Sequence, residues 1–585
     1  MKKIFIKIIP LVIFFTINVE AKSKVIECSI SPENFISGQL VRLNVQTISS
    51  HTSDNTNLIA RIATNNTFYS EKEMYRASKN LYFSDILIPE FCESIQIIFK
   101  CDENNYIKKN NKIQQWFFNT KLPPTYLEDR QSEANPSCVM MQGFYWDCPT
   151  NWYTEMQKYA YKLRYMHKGY GIDRIWFPPP QKSDFGINSM GYDPYDYYDL
   201  GQFKQKNTIP TRFGSQFDLR KTIQTYKSLS IKCMADIVLN HRVGGELELN
   251  DNFNSIQRPT NFKKVKSGKC VWDYRFFYPT KKENHDLGKF NDYPDVAHTI
   301  LNRNQSAGND LIEWGQWLKN NSNAGFDGGW RFDYVKGINP SFISKFRRMT
   351  NTPFCILECW ADIDYIEKYS KFTGETAAFD FPTFYTLAET FNDKSSIKNL
   401  IDPSKSLATR NPKIAVTFVA NHDTDKDYFV PSITNNIMLA YAFILTYQGY
   451  PCIFWHDYFD KKLSNIGGQS GNGIDPLVWI RGYFGGKSIL ANIIKADHSI
   501  LAYEAIPSIQ TKPGYLVIIN NSNKKQLLTL PLTNERYFMQ QLNCHAWFSY
   551  IKEHNKKHMN IMPDANGYVS CTVPPNGYLV FAPKE

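Results

Sequence analysis

Within "GWRFDYVKG", residues 329–337, an arginine and an aspartate stand two positions apart, Arg331 and Asp333. In an extended segment residues two apart project to the same face. The guanidinium and the carboxyl therefore meet one environment together, with Phe332 turned the other way. Such a pair either ties the fold as a buried ion pair or holds a carboxylate charged for chemistry, and on its own it leaves both readings open. Three other apolar runs end in groups of similar capacity: "DIVLNH" in Asp236, Asn240 and His241, "ILECW" in Glu358, and "VANHDT" in Asn421, His422 and Asp423. Carboxyls of this kind serve as general acids, bases or nucleophiles. A single Asp after a strand is more often a turn former or helix cap. Four such endings in succession are much harder to assign to that role.

The elements that would position these groups are short apolar strands alternating with helix-period segments from Cys138 onward. The strands are "CVMMQGFYW", "DRIWFPPP", "KCMADIVLNH", "GGWRFD", "FCILEC", "AAFDF", "AVTFVANHD" and "PCIFWHD". Between them, "WYTEMQKYAYKLRYMH", "SQFDLRKTIQTYKSL" and "NDLIEWGQWLKNN" read as helices. Eight strands separated mostly by helices predict an α/β fold, a closed (β/α)8 barrel, in which functional groups gather at the C-terminal ends of the strands. The interval between His241 and Gly325 is 84 residues by subtraction, and it predicts an insertion subdomain after the third strand at about 242–305. The barrel is placed at 135–496. Residues 22–125 alternate short apolar runs with polar turns and predict an N-terminal β-sandwich, and 497–585 predicts a C-terminal β-domain of sandwich type. "KLPPTYLEDR" reads as the linker into the barrel.

The first 21 residues combine three lysines with an apolar run and a small residue at Ala21, the pattern of a secretory signal peptide. The run is too short for a good membrane span. The mature protein is thus expected to be exported, extracellular or periplasmic, with no membrane partner, and its Lys, Asn and Ile content suggests a bacterium. The formal charge of +11 is spread along the chain, which argues against a nucleic-acid groove. Twelve cysteines in an exported chain permit disulfides. Cys138 with Cys148 and Cys544 with Cys571 are plausible bridges, while Cys233, Cys355 and Cys452 read as buried thiols. Exposed aromatics such as Tyr69, Tyr82 or Trp116 could make the N-terminal domain a carbohydrate-binding module, or the domain could be a spacer.

"DIVLNH", "GWRFDYVKG", "ILECW" and "FVANHD", flanked by "QGFYWD", "GIDRIWFPPP" and "MGYDPYDYYDLGQF", resemble the regular motifs of the α-amylase family of glycoside hydrolases. Lys336-Gly337 after the nucleophile motif is similar to the archaeal and plant-like branch. The resemblance covers roughly residues 135 to 585. It implies that Asp333 is the nucleophile of a retaining double displacement, Glu358 the acid and then base, and Asp423 the third carboxylate on the sugar hydroxyls. It implies substrate contacts from Tyr192, His241, Arg331, Lys336, Trp360 and His422. Arg331 should depress the pKa of Asp333, and the apolar surroundings of Glu358 should raise its own.

The resemblance also implies Ca2+, held by oxygen ligands from Asn240, Asp286, Gly288, Asp295 and Gly337. Tyr278 and Ala297 stand where a neighbouring zinc site would want His and Cys, so none is expected. Leu357, Cys359 and Ala420 depart from the commoner family residues without removing a catalytic group. The implied activity is a secreted, monomeric endo-acting α-amylase on starch, glycogen or maltooligosaccharides. The alternatives are a related transglycosylase, a cyclodextrin or branched-glucan hydrolase, or an inactive sugar-binding surface protein.

Overall fold

The structure is a computed structural model. It describes residues 16–122 and 138–585, apart from 20–21, 32–39, 50–57, 66, 79–80, 89–91, 101–105, 107, 110–111, 250–256, 279–292, 298–305, 394, 427–431, 467–470 and 487–488. The signal-peptide segment lies outside these residues except for Thr16–Val19.

Eight parallel strands close a barrel in chain order. They are β1 (Met140–Gln142), β2 (Arg174–Phe177), β3 (Lys232–Ile237), β4 (Trp330–Phe332), β5 (Cys355–Leu357), β6 (Ala377–Phe379), β7 (Ala415–Phe418) and β8 (Tyr450–Phe454). Seven lie inside the apolar runs of the sequence, and β8 begins one residue ahead of its run. The barrel closes where Met141 pairs with Ile453 and Gln142 with Phe454. Nearly every strand residue is buried, because a parallel strand has the barrel interior on one face and helices on the other.

Helices α1 (Trp152–Arg164), α2 (Gln216–Ser228) and α3 (Ala307–Lys319) occupy the three predicted segments. Ser215 caps α2 in a reciprocal capping box with Asp218, which ends the preceding loop sharply. Helix α4 (Pro340–Met349) follows β4, with Asn339 as its cap and Pro340 in its first turn.

The insertion after β3 is held by Arg242. Its guanidinium stacks 3.9 Å over Phe262 and 4.7 Å over Trp272, and it donates to the carbonyls of Tyr195 and Cys270. A buried cation tied to carbonyls and aromatic faces joins the insertion to the loop after β2.

The N-terminal region has a five- and a four-stranded antiparallel sheet that share one apolar core separate from the barrel's, besides a two-stranded ribbon of Lys108–Lys109 and Lys112–Ile113. Tyr82 and Trp116, expected at its surface, are buried at 6% and 4% exposure, whereas Tyr69 is exposed. The C-terminal region has a five-stranded and a two-stranded sheet. Its first strand is Ile489–Ala496, ahead of the boundary expected at 497, because that strand pairs with Ile500–Pro507. One face of the larger sheet, including Tyr503, Tyr515 and Val517, packs into the barrel's own core. The eleven cysteines among the described residues are all buried and none is in a disulfide. The bridges Cys138–Cys148 and Cys544–Cys571 are therefore absent, and these thiols serve as small apolar core groups.

Candidate active site

β3, β4 and β5 are neighbours, and their register sets Asp236 beside Arg331 and Arg331 beside Ile356. The ladder runs on past the strand ends, with Asp333 N donating to Ile237 O at 3.1 Å and Glu358 N to Phe332 O at 3.0 Å. The polar endings of three distant sequence runs are thereby fixed side by side.

Arg331 is buried beneath them and its guanidinium reaches three carboxyls. Nη1 lies 3.0 Å from Asp236 and 2.6 Å from Asp333, and Nη2 lies 2.6 Å from Glu358. The second oxygen of Glu358 accepts from the backbone N–H of Tyr334 at 2.7 Å. Tyr334 sits in the left-handed region at φ 43°, an uncommon place for a bulky residue, and this turn aims its N–H at the acid. Asp423 stands in the same group, 3.3 Å from His422 Nε2.

Four carboxyls thus face one guanidinium. Burial pushes Asp236 and Glu358 up to about 7, against the opposing pull of Arg331. Asp423 is raised well above the usual carboxylate range, first by burial and then by the charge of Glu358. Asp333, expected to be depressed, is raised instead. Its burial outweighs Arg331, whose charge is divided among several acids. The expected rise of Glu358 is met, and the expected depression of Asp333 is not.

A cleft of about 370 Å³ opens above these acids. Asp333, Glu358 and Asp423 line it, together with Tyr192, His241, Lys336, Trp360 and His422. Arg331 lies below, and its contacts go to carboxyls rather than to the opening. Tyr192 stacks on His422 with ring centroids 5.2 Å apart and planes 9° apart, and its hydroxyl donates to Asp236 at 2.7 Å. Trp146 lies near-parallel to both rings, at 6.1 Å and 6.0 Å. Burial and the nearby Arg331 hold His422 well below its usual pKa, so it is a neutral hydrogen-bonding group. Burial takes His241 down to about 4, and its Nε2 lies 2.8 Å from the carbonyl of Tyr192.

The implied metal ligands are brought together in part. Asn240 is buried, and among the described residues its Oδ1 has no hydrogen-bond partner, while its Nδ2 donates to Asp295 at 3.1 Å. A Cβ at Gly337 would lie 1.9 Å from that Oδ1, so only glycine lets the backbone after β4 come so close. Asp286 and Gly288 lie outside the described residues. An orphaned amide oxygen beside a carboxylate and a closely approaching main chain is a donor set that suits a hard cation.

Sequence reasoning missed Trp146 and Tyr334, both of which line the cleft. Trp146 carried a usable signal, as an aromatic just past a barrel strand that ends in a polar residue, Gln142. Tyr334 carried none, because its role depends on a backbone angle.

No family model matches the chain. The glucan 1,4-alpha-maltohexaosidase of Bacillus sp. (strain 707) is 28% identical over 422 residues, 62% of this chain and 78% of that protein. The alpha-amylase of Geobacillus stearothermophilus is 30% identical over 402 residues, 59% of this chain and 70% of that protein. Among solved structures, the alpha-amylase of Geobacillus thermoleovorans complexed with acarbose superposes with a TM-score of 0.54 at 18% identity, over 77% of this chain and all of that one.

Proposed function

The chain belongs to the α-amylase family of glycoside hydrolases, and on that premise we propose that it is an endo-acting α-amylase cleaving internal α-1,4 bonds of starch or glycogen with retention at the anomeric carbon. The observation that carries the reading is the pair of Asp333 and Glu358 on the floor of an open cleft, each 2.6 Å from a terminal nitrogen of the one guanidinium of Arg331.

Glu358 gives its proton to the glycosidic oxygen as the bond from that oxygen to C1 breaks. An Asp333 oxygen bonds to C1 on the opposite face. Water then attacks C1, its proton passes to Glu358, and the bond to Asp333 breaks. Inverting enzymes need roughly 6.5–9.5 Å between carboxyls to seat a water, and the shared hold of one guanidinium on Asp333 and Glu358 supports the closer, retaining arrangement. Arg331 offsets negative charge on Asp333 in both steps. Asp423 and neutral His422 accept from and donate to sugar hydroxyls, and the Trp146–Tyr192–His422 rings offer apolar faces to the sugar. Lys336 and Trp360 serve the leaving-group side.

Asn240, Asp295 and the Gly337 carbonyl would hold Ca2+, with Asp286 and Gly288 completing the set. The ion would supply structural cross-linking of the insertion to β3 and β4, and the unpartnered Asn240 oxygen supports this. The basic and apolar N-terminus supports secretion, and Lys336-Gly337 supports the archaeal and plant-like branch. The N-terminal sandwich, with Phe68, Tyr69 and Phe117 exposed, is read as a glucan-binding module.

The deciding experiment digests soluble starch with wild type and Asp333→Asn and follows the anomeric proton of the new reducing ends. Wild type should yield mixed maltooligosaccharides released as the α-anomer, and the variant should be inactive while keeping its unfolding transition. Release of the β-anomer, or equal turnover by both proteins, rules the reading out.

A further inference from the structure

Five arginines are among the largest fully buried side chains: Arg174, Arg242, Arg331, Arg347 and Arg481. Four are hydrogen-bonded. Arg242 and Arg481 donate to backbone carbonyls, Arg347 to carbonyls and Thr376, and Arg331 to carboxyls. Arg174 is 1% exposed, and among the described residues it makes no hydrogen bond or ion pair. Its Nε and Nη1 are buried without a partner. It lies 3.7 Å over the ring of Phe354, which covers one face of the guanidinium and satisfies none of its N–H groups. The neighbouring Asp173 accepts from the Tyr450 hydroxyl at 2.9 Å and forms no ion pair with Arg174. Burial raises that carboxyl to about 7, which weakens it further as a counter-charge.

Strand parity says where Arg174 points. Trp176, two residues on, faces the barrel interior, with its Nε1 3.1 Å from Asp236. Arg174 therefore faces the interior too, one layer lower. On β4 the same parity takes Arg331 down to Gly329. That residue has no side chain, and at φ 100° with a Cβ position 2.0 Å from Phe354 O it can only be glycine. A cavity of about 70 Å³ lies beside it at the lower mouth of the barrel, lined by Arg174, Lys232, Lys319 and the Gly328–Gly329 backbone, with Asp327 also on its wall. This is more space than a single water requires, and three cations line it beside one carboxylate, with the Lys319 ammonium also donating to the carbonyls of Thr350 and Asn351. Asp327 is itself engaged, accepting from Cys233 N at 2.9 Å with Lys227 3.9 Å away.

An unpaired guanidinium in a barrel interior is costly unless something accepts its hydrogen bonds. We propose that the cavity beneath Arg174 is a binding site for a small inorganic anion of chloride's size, at the opposite mouth of the barrel from the four carboxyls. The ion would accept from Arg174, lie within the field of Lys232 and Lys319, and tie β2 to β3 and β4 at the end where the barrel is otherwise closed by Phe354.

Crystals of the full chain soaked in bromide should show an anomalous peak in this cavity within hydrogen-bonding reach of Arg174. In solution, the unfolding temperature of wild type should rise by a few degrees, saturably, when chloride replaces gluconate at equal ionic strength, and Arg174→Met should show no such rise. If Arg174→Met does not fold, the bromide position alone decides. A cavity that holds only water at saturating bromide, or an equal chloride response in the two proteins, overturns the proposal.

Discussion

Arg331 is the residue on which the site's charge balance turns, since its two terminal nitrogens reach Asp236, Asp333 and Glu358. Replacing it with methionine removes the only influence that lowers all three, so their pKa values rise further. Because the nucleophile must be ionised, the acidic limb of kcat/KM should move to higher pH, with a loss of about 10²-fold or more at the optimum. A pH–rate profile of Arg331→Met checks this, and an unmoved limb would contradict the assignment. Glu358 works in the other direction. With its pKa near 7 in the fold against 4.5 for the free side chain, the folded state binds more protons than the unfolded between those values. Stability is therefore lost as pH rises through that window, by on the order of 2–3 kcal/mol from this group. Glu358→Gln should flatten the fall in unfolding free energy between about pH 4.5 and 7 while cutting starch turnover about 10²–10⁴-fold. Denaturant titrations at several pH values would test the first part. The direction of the Asp333 shift was not legible in the sequence. Arg331 is visible two positions away, but the burial that outweighs it comes from strands far along the chain.

At the scale of elements, the barrel was legible because each strand is a short apolar run that breaks into polar groups at one end. "KCMADIVLNH" and "FCILEC" show the break directly, and β3 and β5 lie inside them. Trp116 was misread for a related reason. An aromatic in a short strand looks the same whether its face meets solvent or the second sheet, and strand register decides between them. The junction of β3 with the loop after β4 yields a sharper test. Gly337→Ala would place a Cβ 1.9 Å from Asn240 Oδ1 and push apart the group assigned to Ca2+. Wild type should lose unfolding temperature on addition of a chelator, and Gly337→Ala should start lower and lose little more. A full chelator effect in the variant would separate this contact from the metal.

Across the whole molecule, the three regions are not equally independent. The N-terminal sheets enclose their own core, whereas the C-terminal sheet lends one face to the barrel. Removing residues 22–125 should therefore leave the barrel's unfolding temperature within a few degrees of the full chain and its turnover of soluble starch intact, while binding to granular starch falls. Stopping the chain before Ile489 would remove Tyr503, Tyr515 and Val517, bare the barrel surface they cover around Thr446 and Tyr447, and should give insoluble protein. Expression and calorimetry of the two truncations would distinguish these outcomes, and a soluble, active chain ending before Ile489 would refute the shared core. The expected boundary at 497 missed this, although Gly485-Gly486 stands just before the strand as a turn signal. The same asymmetry bears on descent. A leading unit with a private interior can be lost, exchanged or acquired between lineages without any change in the catalytic part, whereas the trailing sheet is bound to its barrel and the two must drift together.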